Sequence, residues 1–176
     1  HLGTSAIHRM SSIVDALLTD YAASLSKRRH PLLGSPTINI GVIRGGTQPN
    51  IVPETCTIDI DRRTIPGETE ASVRKEIQGA TRRHRLKIDF LDLRGVPCDP
   101  LETDPGLPLV RQLMKAAGRR KTTGEDFFTD ASPIAGAGTP AVLYGPGDIA
   151  QAHTAGEWVE LAQVDKAVAV LKRFLE

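Results

Sequence analysis

Aromatic residues are scarce, with one Trp, two Tyr and four Phe in 176 residues. Any core must be filled by Leu, Ile, Val and Ala, and a hydrophobic share of 40% is enough to build one. Cysteine is rarer still. Cys56 and Cys98 do not make a disulfide framework and no CxxC pair occurs, so a reducing cytoplasmic setting is the expectation. No apolar run reaches membrane-spanning length and no signal-peptide pattern precedes the first helical stretch, so no membrane partner is expected. Net charge is nearly absent: 22 basic against 21 acidic residues leave +1, which gives no reason to invoke nucleic acid. Short basic clusters, such as Arg82-Arg83-His84-Arg85, read as solvated surface beside helix ends. The GxSxG, Walker and GxGxxG patterns are missing, which lowers α/β-hydrolase, NTPase and dinucleotide readings.

What is present is strong periodicity. Residues 5–26 place Ile7, Met10, Ile13, Val14, Leu17, Leu18, Tyr21 and Leu25 on one helical stripe, with Thr4 or Ser5 as cap. Two alternating segments follow, "TINIGVIRGG" and "IVPETCTIDIDRR", joined by a Gly-rich link, and they predict an antiparallel strand pair. In the first, Ile38, Ile40, Val42 and Arg44 are read as one face. In the second, Cys56, Ile58 and Ile60 oppose Thr55, Thr57, Asp59 and Asp61. Thr69 is positioned to cap a helix carrying Val73, Ile77 and Ala80, and residues 86–95 alternate as a third strand. The order αββαβ lacks one leading strand of a βαββαβ ferredoxin-like layer. With the abrupt start at His1, this predicts an N-terminally truncated chain.

Four prolines between residues 97 and 108 mark an expected boundary, giving domains 1–96 and 97–176. In the second, residues 109–117 form a helical stripe ending at Gly118, and Ala141–Tyr144 reads as a short buried strand entering the turn Gly145-Pro146-Gly147. A last helix points Leu161, Val164, Val168, Leu171 and Leu175 inward.

Several residues could carry chemistry. His153 offers an imidazole, a good borderline ligand for Zn²⁺, and Glu157 lies four residues on. Taken singly, His153 reads as a hydrogen-bonded loop histidine, Asp130 as a helix N-cap, Asn50 as a turn residue and Arg63 as a solvated charge. An arginine can also clamp a carboxylate through two parallel hydrogen bonds.

The ordered set is more specific than its members. Gly45-Gly46, Asn50-Ile51-Val52-Pro53 and Asp61-Arg62-Arg63-Thr64-Ile65-Pro66-Gly67 resemble the lid-domain signature of the dinuclear-zinc exopeptidase and deacylase family, whose members include acetylornithine deacetylases, succinyl-diaminopimelate desuccinylases, aminoacylases and glutamate carboxypeptidases. "FTDAS" with "GTPAVLYGPGDIAQAHTAGEWV" is similar to that family's C-terminal catalytic segment. The resemblance implies an α/β architecture: a ferredoxin-like lid and dimerisation domain lacking its first strand, then the C-terminal half of a catalytic domain. It implies that His153 is a zinc ligand and that Arg63 binds the substrate carboxylate. Asn50 would hold the substrate or its oxyanion, in one version across a dimer. Gly145 and Gly147 would line the substrate site, and Asp130 and Glu157 would support the metal. It further implies two zinc ions per full-length subunit (Co or Mn as alternatives), an N-acyl amino acid or peptide substrate, and a homodimer. The remaining ligands, the general base and a lid histidine belong upstream of His1, which inherits none of these roles, so this chain alone is expected to be inactive. The rival is a non-catalytic dimerisation or carboxylate-binding module of the same fold.

Overall fold

The computed structural model describes residues 3–85, 88–91 and 98–176. The chain divides into two compact units: His1–Pro100 with Glu125–Phe128, and Leu101–Gly124 with Thr129–Glu176.

The first unit opens with helix α1 (Ala6–Ala16). Ser5 rather than Thr4 is its cap, its side chain accepting from the His8 amide. A π turn, Leu17–Tyr21, leads directly into α2 (Ala22–Leu25). The reason is legible in the apolar spacing. Ile13, Leu17, Tyr21 and Leu25 recur every four residues, and all four are buried. On a regular α-helix that spacing drifts by about 40° per step. The wider π turn, closed by the Ala22 amide on the Leu17 carbonyl, takes up the drift and keeps one seam facing the core. Leu18 and Ile7, read as part of the stripe, fall at 47% and 40% exposure instead.

Strands β1 (Thr37–Gly45) and β2 (Cys56–Arg63) pair antiparallel, as the alternation predicts. The face of β1 is not constant. A bulge between Ile40 and Val42 shifts the register, so Ile40 opposes Ile60 while Ile43, not Val42, opposes Ile58. Helix α3 (Glu70–Thr81) begins with a reciprocal capping box between Thr69 and Ser72 and buries Val73, Ile77 and Thr81. The core joins Ile13, Leu17, Tyr21, Leu25, Val73 and Ile77, with Ile38, Ile40, Ile58, Ile60, Ile88 and Phe90 packed against it. Ile88 and Phe90 thus face inward, as the alternation of the third segment requires. Residues 88–91 nevertheless carry no strand, and the remainder of that predicted strand lies outside the described residues.

At the far end of the hairpin the backbone approaches α1 closely. A Cβ at Gly45 would lie 2.9 Å from Ile7 Cγ1 and 3.0 Å from Cys56 Sγ. Gly46 adopts φ 75°, a conformation that favours glycine.

In the second unit α4 (Pro108–Ala117) starts on proline and ends at Gly118 with φ 63°. It packs on α6 (Leu161–Leu175). Gln112 Nε2 donates to the Phe174 carbonyl at 2.8 Å, and Arg173 donates to the Ala116 carbonyl. Val110, Ala167 and Val170 are the buried residues there. The inward face of α6 therefore differs from the expected one. Leu161, Val168, Leu171 and Leu175 are 79%, 46%, 43% and 83% exposed. Ala141–Tyr144 forms no strand, because a strand needs a ladder partner and none is present among the described residues. The short helix α5 (Ala131–Gly136) completes the unit with a single 3₁₀ turn, Ile149–Gln151.

Candidate functional site

Alternation along β2 gives its last two residues opposite fates. Arg62 continues the inward series Cys56, Ile58, Ile60, and its side chain is 5% exposed. A buried guanidinium needs partners, and Arg62 has several. Its Nη2 donates to Glu68 Oε1 at 2.8 Å, its Nε to the Tyr21 hydroxyl at 3.1 Å, and its Nη1 to the Arg63 carbonyl. Arg28 Nη1 reaches Glu68 at 2.6 Å and Glu76 at 2.8 Å, and the Tyr21 hydroxyl donates to Glu76 Oε2 at 2.9 Å. Two arginines and two glutamates thus cancel in charge at the junction of the first helix, β2 and α3. Burial pushes the Glu68 carboxyl up. Hydrogen bonds from Arg62, the Ile65 amide and Arg28 outweigh it and leave Glu68 below the usual carboxylate range. Burial raises the Tyr21 phenol, only partly offset by Arg62.

Arg63 points the other way, with 51% of its side chain exposed. Its Nε and Nη2 donate to Asp61 Oδ2 at 3.2 and 3.0 Å, and its Nη1 to the Asp126 carbonyl at 3.3 Å. Asn50 is exposed in the link between the strands, beyond the end where Gly45 opposes Cys56. Arg63 is at the other end, opposite Thr37. The length of β2, about 23 Å at strand rise, separates the two ends. Within one chain the fold does not bring Asn50 and Arg63 together.

In the second unit His153 is exposed and holds φ 62°, a left-handed conformation unusual for a residue with a Cβ. Its amide donates to Glu157 Oε2 at 3.3 Å, and Thr154 Oγ1 donates to the Gln151 carbonyl at 2.8 Å. Glu157 therefore braces the loop backbone that carries the imidazole. Gly147, at φ 93°, donates its amide to Gln163 Oε1 at 2.8 Å, and Gly145 is open on its α-carbon. Asp130 occupies the cap position of α5, but its carboxylate makes no capping bond. Thr129 Oγ1 accepts from the Ala131 amide instead, which corrects the N-cap reading of Asp130.

Zinc sites use three or four protein ligands. Among the described residues no group of three or more His, Cys, Asp or Glu side chains could hold a metal ion. The imidazole of His153 fits zinc in kind, but these residues do not fit a metal site in number. A shallow groove on α4, lined by Arg111, Met114, Lys115 and Arg119 among others, contains none of the expected site residues. Sequence reading missed the partly buried quartet of Arg28, Arg62, Glu68 and Glu76. The inward parity of Arg62 was the available signal.

Residues 1–89 match the family model described as the M20 peptidase dimerisation domain. An acetylornithine deacetylase of Myxococcus xanthus is 33% identical over 97% of this chain and 46% of its own length. A putative succinyl-diaminopimelate desuccinylase of Mycobacterium tuberculosis is 29% identical over 99% of this chain and 47% of its own. The chain spans about half the length of these curated relatives. A solved M20 family metallo-carboxypeptidase of Sulfolobus solfataricus shares the fold with a TM-score of 0.60 at 16% identity, covering 98% of this chain and 45% of that one. The chain belongs to the M20 family of peptidases and deacylases.

Proposed function

We propose that this chain is part of a metal-dependent amidohydrolase or exopeptidase that cleaves an amide or peptide bond in an N-acyl amino acid or small peptide with a free carboxylate. Arg63 holds that carboxylate. The observation carrying this role is the division of labour at the end of β2, where Arg62 is consumed by the interior and Arg63 keeps its guanidinium half in solvent. A charge-assisted pair of this kind fixes the ligand's orientation as well as its affinity. His153 contributes one imidazole to a zinc set (cobalt or manganese as alternatives) completed outside the described residues. Glu157 and Asp130 support it, and the backbone of Gly145 and Gly147 borders the substrate. Asn50 serves the substrate from a partner copy in a homodimer, a role supported by the strand's length between it and Arg63. The setting is cytoplasmic.

A second reading has a specific observation behind it. Residues 1–89 match a peptidase dimerisation domain, which supports a reading of this stretch as a dimerisation or carboxylate-binding module of the same fold.

The test is steady-state kinetics of the full-length protein on a panel of N-acyl amino acids and dipeptides, with and without chelator. Arg63→Ala is expected to lower kcat/KM by the equivalent of about 2–5 kcal/mol, roughly thirty-fold to a few thousand-fold. Unchanged kinetics removes Arg63 from the site. The purified 176-residue chain is expected to turn over nothing with Zn²⁺ added, and measurable turnover by it would refute the need for further ligands.

A further inference from the structure

The geometry points to Asp61 as an internal competitor for the carboxylate site at Arg63, setting the threshold that an incoming anion must beat. This inference rests on the carboxylate-binding reading of Arg63. An arginine offers a carboxylate two edges with paired N–H groups, Nε with Nη2 and Nη1 with Nη2. Asp61 Oδ2 takes both donors of the first edge, and the Asp126 carbonyl takes Nη1 of the second. Whichever edge a substrate carboxylate uses, it must displace one of these acceptors or sit beside the negative charge of Asp61.

The arrangement follows from strand parity. Asp59, Asp61 and Arg63 share one face of β2. Asp59 is drawn across the hairpin by Arg44, at 2.8 Å. The residue opposite Asp61 is Asn39, which brings no charge. Asp61 is thus left to Arg63, two residues along. Both partners are 51% exposed, so the pair is screened and exchanges readily. Such a weak pair cannot lock the site. It can reject weak anions while yielding to a carboxylate that gains further contacts elsewhere.

The test follows the Arg63 Nε–H resonance and the amides of residues 61–65 by NMR, in the 176-residue chain, during titration with N-acetylglycine. The corresponding N-methylamide, which lacks the carboxylate, is the control. Asp61→Asn preserves shape and removes the charge. It is expected to tighten N-acetylglycine binding about two- to five-fold, the range for one exposed pair, and to make inorganic anions visible competitors. Arg63→Ala is expected to abolish the carboxylate-dependent shifts. Equal or weaker binding in Asp61→Asn, with loss of the shifts in Arg63→Ala, makes Asp61 a brace or a bystander. That overturns this inference and leaves the carboxylate reading standing. Shifts that survive in Arg63→Ala, or that are missing from both the native chain and Asp61→Asn, overturn the carboxylate reading and this inference with it.

Discussion

At the scale of single residues, the neighbours Arg62 and Arg63 show what a sequence does and does not disclose. Parity assigns one inward and one outward, and that much was readable from Cys56, Ile58 and Ile60. The partners of Arg62 were not. Tyr21 lies in the π turn of the first helix, Glu76 in α3 and Glu68 in the loop between β2 and α3, with Arg28 bonded to both glutamates, and contacts 41 or 48 residues apart leave no period in the sequence. Glu68 is the member with most to lose. Its side chain is 9% exposed, and it holds Arg62, Arg28 and the Ile65 amide at once. Removing one partner of a buried pair strands the others, so Glu68→Ala is expected to cost about 3 kcal/mol in chemical unfolding. The folded carboxyl lies below its unfolded value, so its contribution is complete above the ordinary carboxylate pKa. It fades as pH falls through the depressed folded value. Denaturation midpoints between neutral and acid pH should therefore fall less steeply in Glu68→Gln than in the native chain. An unchanged acid limb would show that other carboxylates carry it.

At the scale of elements, periodicity predicted α1, β1, β2, α3, α4 and α6, and local detail departed from it in three ways. A π turn answered a four-residue spacing. A bulge reversed the second half of β1, because an extra residue exchanges the two faces of a strand. On α6 the reading followed the largest side chains, whereas the buried positions are Ala167 and Val170, whose smaller size suits close packing on α4. The Gly45-Gly46 pair, noticed as part of a motif, has a local physical cause in the proximity of Ile7 and Cys56. Gly45→Ala forces a side chain into that contact and is expected to destabilise the first unit by about 1–3 kcal/mol. Pairing it with Ile7→Ala should recover part of the loss, since the two changes share one space. Simple additivity in the double variant would mean that the contact is not the cause.

At the scale of the molecule, the second unit leaves several large apolar side chains exposed to water. Leu143, Trp158, Leu161, Val168, Leu171 and Leu175 are all exposed. No helix among the described residues is long and apolar enough to cross a membrane. Replacing Leu161, Val168 and Leu175 together by Lys is expected to raise solubility and suppress concentration-dependent association, with a midpoint change within about 1 kcal/mol. Val170→Ala, on the packed side, should lower stability by about 1 kcal/mol or more and leave association unaltered. Sedimentation at several concentrations separates the two outcomes.

The left-handed backbone at His153 gives any mutagenesis of that position two simultaneous effects. Alanine deletes the ring and retains the steric penalty of a β-carbon at positive φ, whereas glycine deletes the ring and relieves about 1 kcal/mol of it. A glycine variant that folds more firmly yet loses function would therefore identify this turn as a place where stability has been surrendered to keep an imidazole.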